Sequence, residues 1–417
     1  MIWLRLTWAN LTLSMLTTAV NVVLMALGTA SIVMLLLAGS QLRATMSRDA
    51  EGIDLVLGAA GSPVQLVLSS VYHADVPPGN IPLDEAQRWL EDPRVEWGIP
   101  LSLGDSLQGY RIVGTKTSYI ELYGGELAAG AFWLGNMEAV LGSAVAEATE
   151  FELGSSFAGA HGLGVGGHDH QSQSYRVVGV LKPTGTILDR LIITSLESVW
   201  QLHGITRAHK DEHEDEDEHE VEDEQEDEHE HLDSVPDTPI TAMLLHYRNP
   251  LAALTLPRQI NATGALQAAA PALEIARILQ VAGVGLRALG AFAWVLVATA
   301  ALSIFAALYG SLRSRRGELA MLRCLGATRA EILWFLILEG LMLAALGIVF
   351  GFLLGHWLTE LVGAWLNSNQ SLAITGWIWV SAEYVVFIGL LLVGAGSAVV
   401  PALQAYRTDV ARALVKP

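Results

Sequence analysis

The sequence predicts an α-helical membrane protein with four transmembrane helices and a large α+β extracytoplasmic domain inserted between helices 1 and 2. Three observations carry that expectation. Four apolar segments are each long enough to cross a bilayer, which takes about 20 residues. Arginine gathers at one end of those segments. Between the first and second segments lies a long stretch of mixed strand-like and helix-like pattern.

Residues 1–15 read as a cytoplasmic amphipathic segment with a single basic residue, Arg5. The first span, 16–38, falls in the charge-free interval between Arg5 and Arg43. Its apolar run is too long for a signal peptide and no short A-x-A site follows closely, so it is expected to stay as an anchor. Residues 39–264 form the outer domain. There "YRIVGT", "YIELYG", "YRVVGVL" and "RLIITS" read as strands, and "MEAVLGSAVAEAT" and "LESVWQLHG" as helices. "DLVLGAAGSPVQLVLSSVYHADVPPGN" reads as a strand and a helix packed in the domain core.

Residues 265–312 are expected to form a helical stalk that merges into the second span. The connection 313–330 holds Arg313, Arg315, Arg316, Arg323 and Arg329. A third span covers 331–360. The loop 361–382 carries Trp365, Trp377 and Trp379 and no Lys or Arg, as an outer interfacial belt would. A fourth span covers 383–405, and the tail 406–417 holds Arg407, Arg412 and Lys416. The positive-inside rule then puts both termini in the cytoplasm and the large domain outside. The spans show neither an internal repeat nor the paired halves of a secondary transporter.

Composition removes several function classes. The formal charge is -19, but 16 carboxylates lie between Asp211 and Asp233 with no Lys or Arg among them. The rest of the chain is close to neutral, so the charge is local and points to no nucleic acid. One cysteine, Cys324, excludes an intramolecular disulfide and a CxxC zinc site. Lys116, Lys182, Lys210 and Lys416 are the only lysines and none follows a glycine. The Gly-Lys-Ser/Thr loop that cradles ATP phosphates is therefore missing, and no catalytic residue is assigned.

Histidine is unevenly placed: nine of the twelve lie between His161 and His231. Besides His203, these are His161, His168 and His170 in one cluster and His209, His213, His219, His229 and His231 in the acidic tract 209–233. Neutral imidazole is a good zinc, copper or nickel ligand, and carboxylates can complete a shell. Irregular spacing in so charged a tract argues for several weak, exchangeable sites with no firmly bound cofactor, zinc being the first choice. A solvated acidic tether with incidental histidines is the plainer alternative. Glu339 is the best intramembrane polar candidate, suited to a packed hydrogen-bonding network, a subunit contact or an interfacial carboxyl. His356 and Glu360 share a helix face near the outer end of the third span, without a third ligand in sequence.

Two stretches carry a family resemblance. "SRRGELAMLRCLGATRAEILWFLILEGLMLAALGIVFGFLLG" resembles the cytoplasmic loop and third span of MacB/FtsX-type ABC transporter permeases. "VPALQAYRTDVARAL" is similar to that family's terminal motif, with Val410 where Pro is usual. In the outer domain, "MEAVLGSAVAEATEFELGSSF" and "YRVVGVLKPTGTILDRLIITSLESVW" resemble the family's MacB-like periplasmic core. The resemblance implies a separate ABC ATP-binding subunit as the ATPase, two permease copies, and coupling through Arg315, Arg316, Glu318 and Arg323. It also implies a bacterial inner membrane, with lipid around the spans, and a mechanical transmitter acting on a periplasmic or lipoprotein partner. Within that frame a metal-linked permease, an efflux or lipoprotein-release permease with no metal role, and a non-transporting regulator of an envelope enzyme all stay open.

Overall fold

The computed structural model describes residues 2–161, 174–203, 238–314, 317, 321, 323–324, 326–370 and 374–407. The chain divides into two compact units. One joins Met1–Ala44 to Gln280–Pro417, and the other is Thr45–Leu279.

Helix α1 (Ile2–Leu13) precedes α2 (Met15–Asp49), the first of four helices long and apolar enough to cross a membrane. The second unit then builds one mixed sheet from short elements. In chain order these are β1 (Leu55–Ala59), α3 (Pro63–Ser70), β2 (Ile81–Pro82), α4 (Leu83–Arg88), β3 (Val95–Leu107), β4 (Tyr110–Thr115), α5 (Thr117–Leu122), β5 (Leu127–Gly130), β6 (Glu138–Leu141) and α6 (Ser143–Thr149). There follow β7 (Ser156–Phe157), β8 (Ala160–His161), β9 (Tyr175–Leu181), β10 (Leu191–Ser195), α7 (Leu196–Leu202), β11 (Pro239–Ile240), β12 (Ala242–Tyr247), α8 (Ala252–Thr263) and β13 (Leu266–Ala269). The sheet order is β13-β1-β12-β3-β4-β10-β6-β9-β5, with β7 on β9 and β8 on β3.

β3 holds the two halves of the sheet together. Its first half pairs with β12, from Val95 to Leu101, and its second half with β4 and β8. Leu103 faces Val113 and Ser106 faces Arg111, so β3 carries one more residue than β4 across Gly104 and Asp105. That is a β-bulge, a device that bends a strand and re-aims a side chain.

Strand and helix readings hold for β1, α3, β4, β9, β10 and α7, and differ at three places. "YIELYG" is helical (α5), because Tyr119 and Ile120 are buried with Tyr123 packed beside them, a helical rather than alternating face. "MEAVLGSAVAEAT" splits: Glu138–Leu141 is a strand between β10 and β9, and the helix begins only after Gly142. The stretch from Ala265 does not start as a stalk helix. Leu266–Ala269 pairs with β1, and α9 (Pro271–Ser314) starts at a proline suited to a first helical turn.

α10 (Arg329–Gln370) and α11 (Ala382–Arg407) complete the membrane unit. α10 carries Gly347, Gly351 and Gly355, four residues apart on one face. A Cβ there would meet Met25 Cβ at 2.5 Å, Thr29 Cβ at 2.4 Å and Val33 Cβ at 2.9 Å, the matching ridge of α2. Small residues at this spacing let two backbones approach where no hydrophobic effect drives association. Gly351→Leu is expected to force the helices apart and cost about 1–3 kcal/mol. The detergent-solubilised chain should then unfold at a lower denaturant midpoint, whereas an unchanged midpoint would remove this contact from the packing account.

Candidate functional site

Three polar constellations stand out, each placed by local sequence. The first lies in the membrane unit at the loop between α10 and α11. His356 Nδ1 is 2.5 Å from the Gly376 carbonyl and must donate to it, while Nε2 stands 2.9 Å from Glu383 Oε2. Glu383 is wholly buried, and its other oxygen accepts from Val380 N–H at 2.9 Å. Glu360 accepts from Thr375 Oγ1 at 2.8 Å and from Gly376 N–H at 2.7 Å. Gln41 on α2 clamps Thr375 from both sides, accepting from its N–H and donating to its carbonyl. A cavity of about 940 Å³, walled by Phe352, Trp357, Trp377, Trp379 and Tyr384, opens beside His356 and Glu383. His356 and Glu360 thus both bond to Gly376, one at its carbonyl and the other at its N–H.

Glu339 forms the second. It is buried and accepts a hydrogen bond from Asn10 Nδ2, which ties α1 to α10. The bond satisfies one acceptor oxygen of a buried carboxyl group.

The third lies in the outer domain, where the ends of two sequence tracts meet. β8 lays the His161 backbone in register with Asp105 and Ala160 with Ser106. Gly159 permits that approach, since a Cβ there would come within 2.9 Å of Ile112 Cδ1 and 3.4 Å of Asp105 Cβ. Ser195 caps the start of α7 by accepting from Ser198 N–H at 3.1 Å, and the helix ends at His203. His203 Nδ1 lies 2.8 Å from the Val199 carbonyl, satisfying a C-terminal group of the helix and fixing the ring. Its Nε2 stands 3.8 Å from Asp105 Oδ1, with Asp105 only 1 % exposed. Trp200 Nε1 donates to the Pro239 carbonyl at 2.7 Å, so the segments on either side of 204–237 are joined.

Of the residues singled out by sequence, His168, His170, His209, His213, His219, His229, His231, Arg315, Arg316 and Glu318 lie outside the described residues. Arg323 is half-buried. Among the described residues, no group of three or more His, Cys, Asp and Glu side chains gathers to hold a metal ion. Sequence reading missed Asp105 and Glu383. Asp105 carries a faint signal, the "LGDS" break in an otherwise apolar strand.

An α+β domain set in the chain between apolar helices of membrane-crossing length defines a membrane protein with a large domain outside its spans. Residues 18–223 match the MacB-like periplasmic core domain and residues 290–410 the FtsX-like permease C-terminal region. The chain belongs to the MacB/FtsX-type ABC transporter permeases. Among solved structures it is similar to the periplasmic region of MacB from Actinobacillus actinomycetemcomitans, at 11% identity and a TM-score of 0.33, over 55% of this chain and 95% of that one. It is also similar to the extracellular domain of the noncanonic ABC-type transporter YknZ from Gram-positive bacteria, at 11% identity and a TM-score of 0.30, over 51% and 98%. No curated protein matches the chain in sequence.

Proposed function

We propose that this permease passes ATP-driven motion from a separate ABC ATP-binding subunit to its outer domain, and that the outer domain's action is linked to zinc. In this reading two copies of the chain assemble in a bacterial inner membrane, with both termini cytoplasmic and the outer domain in the periplasm. The domain works on a periplasmic or lipoprotein partner.

The observation that carries the reading is how the end of α2 is held. Arg48 Nη1 donates to the Gly185 carbonyl at 2.8 Å, Tyr72 and Tyr123 hydroxyls donate to the Met46 and Asp49 carbonyls, and the Asp49 carboxylate accepts from Ile187 N–H at 2.9 Å. A helix gripped at four points moves its domain instead of fraying from it. Joined to β13 through residue 270, α9 offers a second rigid lever.

The zinc link rests on the histidine-bearing tracts, His161 to His170 and His209 to His231. Zinc acts here as a signal rather than as cargo. In the spans Glu339 is engaged by Asn10, and His356 by Glu383, so these groups serve packing contacts.

Co-expressed with its ABC ATP-binding subunit, the chain should co-purify with it and change its hydrolysis rate. Arg315→Glu with Arg316→Glu should cut the co-purified amount about tenfold or more, because exposed charges set partner register. Unchanged recovery and hydrolysis in the double variant would refute coupling through this loop.

A further inference from the structure

We propose that the cavity between α10 and α11 binds one phospholipid with an amine headgroup, its acyl chain lying along the aromatic wall and its ammonium beside Glu360. Zinc plays no part in this site.

The length of the cavity sets the kind of ligand. Its α10 wall runs from Val349 to Glu360. At a helical rise of about 1.5 Å per residue that is about 16 Å. A bilayer's hydrocarbon core is about 30 Å thick, so the wall matches the acyl region of one leaflet. The volume of about 940 Å³ is near the top of the range of small-molecule sites, about 300–1,000 Å³. The lining is graded along that length. Val349, Phe350 and Leu353 form one end, towards the middle of α10, and Glu360, Gly376 and Trp377 form the other, at the loop. A lipid has the same gradient, from hydrocarbon tail to polar head.

Charge selects the head. Between Arg329 and Arg407 the chain holds no Lys or Arg. Glu383 is paired with His356, whereas Glu360 is held by Thr375 Oγ1 and Gly376 N–H, bonds that fix its position and bring no cation. Trp357, Trp377, Trp379 and Tyr384 stand exposed around the same end. A cation is drawn both to the face of an indole or phenol ring and to a carboxylate. An ammonium head therefore gains from both, and an anionic head meets the charge of Glu360 instead. Trp379 stacks with Tyr384 at 6.4 Å and with Phe352 at 6.2 Å between ring centres, so one aromatic wall serves head and chain.

A second copy of the chain is the competing occupant. Across a two-fold interface centred on the cavity, each copy would bring its own Glu360 to the other, with no Lys or Arg in α11 or the loop to offset the repulsion. A lipid head brings the missing positive charge.

The test uses the full chain in phosphatidylglycerol vesicles, with its tryptophans as reporters and bromine on lipid acyl chains as a contact quencher. Phosphatidylethanolamine and phosphatidylglycerol carrying the same brominated chains are titrated in separately. Lipid in general contact with the spans quenches alike in both series. The site should bring half-maximal quenching at a mole fraction at least about threefold lower for the amine lipid. Glu360→Gln, which keeps an acceptor for Thr375 and Gly376, should make the two series coincide. Val349→Phe with Leu353→Phe should crowd the tail end and weaken the amine lipid by at least about threefold. Denaturant midpoints check the fold, and the double variant decides alone if Glu360→Gln loses it. Coincident series in the unaltered chain overturn the proposal, as does a preference that survives either variant. A dimer that falls apart on Trp377→Ala, with series that coincide, gives the cavity to a second copy and overturns it too.

Discussion

Glu383→Ala is expected to destabilise the α10 and α11 pair by about 1–3 kcal/mol, the usual cost of leaving buried hydrogen-bonding groups without their partner. His356 would keep its bond to the Gly376 carbonyl but face an empty, apolar space with its second nitrogen. Val380 N–H would lose its acceptor as well. Replacing both partners, as His356→Leu with Glu383→Leu, should recover most of the loss, because exchanging both partners for apolar groups can be nearly neutral. The indole of Trp379, with its ring centre 4.9 Å from that of His356, gives a local fluorescence reporter for denaturant titration of the solubilised chain. A single variant that unfolds at the unaltered midpoint would show that the pair contributes no net stability.

The second large effect is a pH dependence set by His73. This residue is buried in the outer domain with Nε2 2.9 Å from the Tyr119 hydroxyl, and its Nδ1 has no hydrogen-bond partner among the described residues. Burial, reinforced by the positive charges of Arg111 and Arg190, lowers its pKa from 6.5 to about 3. The unfolded chain takes up a proton below about pH 6.5, while the folded chain stays neutral there. Stability is therefore full above that value and is lost as pH falls towards 3, by up to about 1.4 kcal/mol per pH unit. His73→Asn should flatten the slope while tolerating the positive φ of 52° at this position. Urea midpoints of the full chain between pH 4 and 7.5 check this, with near-ultraviolet circular dichroism as the signal. Equal slopes in the two proteins would assign the acid sensitivity to other groups.

How much of this could be read in the sequence depends on the range of the force involved. Span positions follow from charge-free length, since the cost of an ionised group in lipid acts on every residue separately. β4, β9 and β10 were legible because their apolar runs are short and bounded. α5 was not: "YIELYG" has strand composition, and only tertiary burial of Tyr119 and Ile120 selects the helix. The Gly347, Gly351 and Gly355 ladder was open to reading, as a four-residue repeat of small side chains in an apolar run. Asp105 depends on a bulge that arises from pairing with β4, and Glu383 on a loop that folds back to His356. Such contacts between distant residues leave no local periodicity. The histidines stand out as a composition, whereas the contact of Asp105 with His203 joins residues 98 positions apart.

The bond from Trp200 to Pro239 ties together the two described segments that flank residues 204–237. Because the chain leaves and returns at one place, residues can be added to or removed from 204–237 without shifting a strand, and the entropic cost of closing such a loop grows only slowly with its length. Insertions or deletions there are thus expected to leave the strand order of the sheet unchanged, whatever number of histidines they add or remove.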